Sequence, residues 1–108
     1  MNPKDKRDKK IELQKLCRLY LIANIRFNSG AKVYLHKKIT KLLVKNKYLN
    51  DWERQFEYEN LVREKSREIT DNLDKIYKIN FGFEVVSDTK LKENSKDLAD
   101  RLFNIYNL

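Results

Sequence analysis

Apolar residues recur at helical spacing through most of the chain. Leu13, Leu16, Cys17, Tyr20, Ala23 and Phe27 share one side of a helix predicted over residues 9–27. Leu19, Ile22 and Ile25 widen that side, so the middle of this helix is expected to be surrounded by other elements. Asn28, Ser29 and Gly30 should end it, with Gly30 suited to the left-handed backbone that terminates many helices. A second helix is predicted over residues 31–47, with a core face of Ala31, Leu35, Ile39, Leu42 and Leu49 and with Leu43 at its edge.

Asn50 and Glu53 have the spacing of a capping box and should start a third helix that reaches Lys78. Its seam is Tyr58, Val62, Ser66, Ile69, Leu73, Ile76 and Tyr77, at steps of three and four. Glu59 with Arg63, Asp71 with Lys75 and Asp74 with Lys78 are i,i+4 pairs expected to support it. Gly82 should stop this helix, and Phe83, Glu84, Val85 and Val86 read as a short extended segment. A last helix is expected to start between Asp88 and Ser95 and to turn Leu98, Ala99, Leu102, Ile105 and Tyr106 inward.

The pattern predicts an all-α protein: a single-domain bundle of about four helices, with one long central helix, the third, as the longest. Composition agrees, because two glycines and one proline in 108 residues leave little turn chemistry for sheets. Residues 1–10 read as a flexible basic arm ahead of a helical domain over 11–108. The longest apolar run, Leu19 to Ala23, is too short to span a bilayer, and Glu12, Gln14, Lys15 and Arg18 spoil a secretion signal. A cytoplasmic location is expected. Cys17 is the single cysteine and sits in an apolar stretch, so it reads as a core residue.

The catalytic inventory is thin. His36 is the only histidine and stands among lysines, where a solvated or helix-edge position is expected. One histidine and one cysteine do not make a usual zinc site, and two isolated glycines cannot build a phosphate loop. Glu68, Asp71 and Asp74 repeat at i,i+3, a spacing able to hold Mg²⁺ from two facing helices. Here they lie on one helix with basic neighbours, and a solvated, salt-bridged face is the expectation. No catalytic residue, metal site or cofactor is therefore assigned, and the protein is expected not to be an enzyme.

Charge carries the stronger signal. Residues 1–50 have a net charge of +11 and residues 51–108 one of −3. No carboxylate occurs between Glu12 and Asp51, a stretch of 38 residues with nine basic groups. The acidic surplus cannot neutralise the basic one, so a positive field must reach solvent. On the second helix Tyr34, Lys37, Lys38, Lys41, Lys45 and Tyr48 fall within one 100° arc at 3.6 residues per turn. Arg18, Arg26 and Lys32 are candidates to extend this face. A solvated helix face would explain the lysines alone. It does not explain the missing acids or the bracketing tyrosines.

Lysines contact phosphates as point charges, and tyrosines can stack on unpaired bases. The expected function is binding of nucleic acid, DNA first, through backbone-dominated contacts, as a small regulator from a phage or other mobile element. A homodimer through the third or fourth helix would strengthen a weak single face. The alternative is a protein-binding inhibitor or immunity-type module that occludes an acidic partner protein. Attachment to an anionic membrane ranks last, since it requires large apolar residues exposed beside the lysines.

Overall fold

The computed structural model describes residues 3–44, 55–80 and 87–106. They form α1 (Pro3–Ile25), α2 (Ser29–Leu43), α3 (Gln55–Asn80) and α4 (Asp88–Ile105), an all-α four-helix bundle in which α3 is the longest helix. The expected extended segment at 83–86 and the capping box at Asn50 lie outside the described residues.

Helix α1 starts earlier than the apolar pattern predicts, so residues 3–10 are helical rather than an irregular arm. Proline is tolerated there because a first-turn N–H has no intrahelical partner to lose. The extra turns dock on α4. Lys10 Nζ lies 3.0 Å from an Asp100 carboxylate oxygen. The ammonium groups of Lys6 and Lys10 sit 5.9 and 5.8 Å from the centre of the Phe103 ring.

The turn between α1 and α2 departs from expectation in its residues. Asn28 N–H donates to Ala23 O at 2.9 Å and Phe27 N–H to Asn24 O at 3.2 Å, the paired bonds of a Schellman motif. The left-handed position is Phe27, with φ of 53°, and not Gly30. Gly30 is already inside α2, whose N-cap is Asn28, its side-chain oxygen accepting from Ala31 N–H at 3.1 Å.

The core joins Leu13, Cys17, Tyr20 and Leu21 of α1 to Leu35, Ile39 and Leu43 of α2, Ile69 and Leu73 of α3, and Leu91, Leu98, Leu102 and Phe103 of α4. Fully burying each large aliphatic side chain contributes about 1.5–3 kcal/mol before entropy is counted. Cys17 is a core residue as expected, and burial pushes its thiol up to about 12. Helix α1 packs mainly on α4 and α2, and α3 mainly on α2. Helix α1 is therefore not surrounded: Leu19 and Ile25 are about half exposed, and Phe27, in the turn beyond its end, is 91% exposed. Ile105, expected inward, is also half exposed, whereas Leu91 and Phe103 fill the α4 core face that the pattern left short.

Polar ties link the helices where packing is thin. Tyr58 Oη donates to Lys41 O at 3.3 Å, between α3 and α2. Asn72 Nδ2 donates to Tyr106 Oη at 2.9 Å, between α3 and α4. Ser87 caps α4, accepting from Lys90 N–H at 3.2 Å, at the early end of the expected range.

Candidate nucleic-acid interface

Helix α2 sits between α1 and α3, so its outer face forms a ridge with a hollow on either side. Leu35, Ile39 and Leu43 anchor it inward, and the 100° step per residue then turns Tyr34, Lys37, Lys38 and Lys41 outward. These four are the described part of the predicted arc, and all are exposed. The helix stops at Leu43, where Val44 takes an extended C-cap conformation, earlier than the predicted end. Lys45 and Tyr48 lie outside the described residues.

The hollow between α2 and α3 has a volume of about 560 Å³. Val33, Tyr34, His36 and Lys37 line it from α2, and Glu59, Val62, Arg63, Ser66, Arg67 and Thr70 from α3. The sequence reading missed Arg63 and Arg67, because it treated the second half of the chain as an acidic counterweight. Their i,i+4 spacing, beside Ser66 and Thr70 at i+3 and i+7, was the available signal. Glu59 does not neutralise Arg63 as expected; it lies 3.8 Å from Lys41 Nζ across the hollow. Among the described residues Lys37, Arg63 and Arg67 make no ion pair.

The second hollow, about 550 Å³, lies between α2 and α1, with Tyr34, Lys38 and Lys41 on one wall and Glu12 and Leu16 on the other. Lys38 Nζ stands 5.2 Å from the centre of the Tyr34 ring. Contact with the Tyr34 side chain, above all, raises the Lys38 ammonium above its ordinary value, with Glu12 adding in the same direction. A smaller hollow of about 260 Å³ is lined by Leu19 and Ile22 of α1, by Arg26 of the following turn and by Ala31 and Tyr34 of α2. Tyr34 thus borders all three hollows, and Arg26 joins the face at its edge. Arg18 is exposed on α1 but lines none of the three.

Lys32 does not extend the face as a free cation. Its Nζ lies 3.7 Å from Asp74 Oδ1 and 5.8 Å from the centre of the Tyr20 ring. Asp74 is not part of a solvated acidic face either, for it turns toward α1 and accepts the buried hydroxyl of Tyr20. Glu68 instead points out to Lys65, so the acids spaced at i,i+3 do not converge. Burial and the Asp74 carboxylate together push the Tyr20 hydroxyl well above the ordinary tyrosine value.

His36 departs furthest from expectation. Its ring is half-buried, 5.4 Å from that of Tyr20, with Nε2 3.8 Å from Asp74 Oδ1. That separation is too long for a hydrogen bond, and Nε2 has no partner among the described residues. Burial lowers the affinity of the imidazole for a proton, Asp74 opposes this, and Lys32 reinforces it. The ring lines the α2–α3 hollow together with Lys37, Arg63 and Arg67.

Among the described residues no three His, Cys, Asp or Glu side chains gather in a metal-holding group. No described helix is long and apolar enough to cross a membrane. Comparison with protein-family models, with curated proteins and with solved structures gives no match to this chain.

Proposed function

We propose that the protein binds nucleic acid, DNA in the first instance, through the α2 ridge and the α3 wall beside it, and that it acts by binding rather than by catalysis. The observation that carries this reading is the set of cations without an ion pair among the described residues, Lys37, Arg63 and Arg67, gathered in one hollow from two helices. A surface lysine kept for solubility needs no such convergence. Guanidinium groups present planar forks of donors that match phosphate oxygens, and the lysines add point charges around them. Contacts of this kind place a phosphate backbone without reading bases, so sequence preference is modest.

Lys37, Lys38, Arg63 and Arg67, joined by Lys41 when a phosphate displaces the exposed Glu59, can neutralise about four to five phosphates, which predicts that log affinity falls with log salt at a slope of about −3 to −4.5. The test is fluorescence anisotropy on labelled DNA across a salt series. It is repeated with Lys37→Glu, Lys41→Glu and Arg67→Glu combined in one chain. Loss of most binding with unchanged circular dichroism supports the reading, since all three side chains are exposed. Unchanged affinity in the triple variant refutes it. An acidic protein partner, the alternative occupant, would show as binding that survives nuclease treatment and responds weakly to salt.

A further inference from the structure

We infer that this interface is built for single-stranded rather than double-stranded nucleic acid, with Tyr34 as the side chain on which a base stacks. The inference rests on the nucleic-acid reading above and adds to it the form of the ligand. It starts from the position of α2. A helix that reads a duplex enters a major groove about 12 Å wide, and a helix with its side chains is itself about 10–12 Å across. Such a helix must stand clear of its neighbours. Helix α2 is flanked on both sides, its outward residues sharing one hollow with α3 and another with α1. Packed helix axes generally lie about 8–10 Å apart, so a helix flanked on both sides offers a duplex a face wider than one groove.

The same geometry suits a strand with unpaired bases. Each large hollow has a volume, about 560 and 550 Å³, within the roughly 300–1,000 Å³ of sites that enclose small organic groups. Each has apolar surface for a ring and a rim of positive charge, from Val33 with Arg63 and Arg67 on one side and from the half-buried Leu42 with Lys38 on the other. Tyr34 stands on the ridge that separates them and is 59% exposed. Lys38 lies over the exposed ring, and cation and ring together are the usual elements of a sequence-tolerant single-strand platform. Phosphates on either side of the stacked base would then meet Lys37 and Arg67 in one hollow and Lys38 and Lys41 in the other.

The test is competition between a labelled unstructured single-stranded DNA and the duplex of the same sequence, on the full chain at moderate salt. The expected result is at least about 10-fold tighter binding of the single strand. Tyr34→Ala should weaken single-strand binding roughly 5- to 100-fold and duplex binding little, while Tyr34→Phe, which keeps the ring, should bind the single strand almost as the parent does. Equal or tighter binding of the duplex overturns this inference and leaves the nucleic-acid reading standing. So does a Tyr34→Ala chain that keeps full single-strand affinity. Binding of neither form, with the helical content intact, overturns both.

Discussion

Removing the Tyr20 hydroxyl should show how much of the bundle depends on one buried bond. Tyr20 is fully buried in α1 and donates to Asp74 of α3. Because α3 packs mainly on α2, this bond is one of few ties between α1 and α3. Hydrogen bonds to a charged acceptor contribute about 1.5–3 kcal/mol, so Tyr20→Phe should cost about 1.5–2 kcal/mol. Asp74→Ala should cost more, about 2–3 kcal/mol, because it leaves the buried hydroxyl without an acceptor and Lys32 without its carboxylate. In the double variant the stranded hydroxyl no longer exists, so the two losses should fall short of their sum by about 1.5 kcal/mol. Urea unfolding followed by far-UV circular dichroism measures each step. A change of 1.5 kcal/mol moves the midpoint by about 1 M when the denaturant slope is about 1.5 kcal/mol per molar. If the two substitutions add to within about 0.3–0.5 kcal/mol, the pair is not coupled and the account of α3 being held to α1 by this bond is wrong.

Two further outcomes follow from single residues. Phe27→Gly should stabilise the protein by about 0.5–1 kcal/mol in the same unfolding assay: a side chain in the left-handed region costs about 1–2 kcal/mol, glycine gives back part of that through unfolded-state entropy, and Phe27 has almost no packing to lose. A destabilised Phe27→Gly chain would count against the left-handed turn. His36 has a folded-state proton affinity held below its ordinary value, chiefly by burial, so the unfolded chain takes up the proton first as pH falls. Its contribution to stability is present above about pH 6.5 and is lost as pH drops through that value, with a slope that His36→Gln should remove. Identical pH profiles for the two proteins between about pH 7.5 and 5.5 would contradict this.

The local pattern was enough to determine that this chain is helical, which helix is longest, and which side of each helix faces inward. Leu13, Cys17, Tyr20, Leu35, Ile39, Ile69, Leu73, Leu98 and Leu102 are buried because side chains three and four apart must share one face, and only one face of each helix is apolar enough to bury. The outward position of Tyr34, Lys37, Lys38 and Lys41 follows from the same arithmetic. What periodicity cannot carry is which helix lies beside which. Arg63 and Arg67 belong to the basic face only because α3 packs on α2, and net charge counted along the chain assigns them to the acidic half. His36 and Lys32 share a helix with the exposed lysines, yet α1 and α3 close over them and bring Asp74 within ion-pair range. Phe27, on the apolar side of α1 by spacing, becomes the exposed turn residue because the Schellman bonds close at Ala23 and Asn24 and place the left-handed backbone at that position. Burial and pairing across helices depend on neighbours distant in sequence, and only the tertiary structure brings those neighbours together.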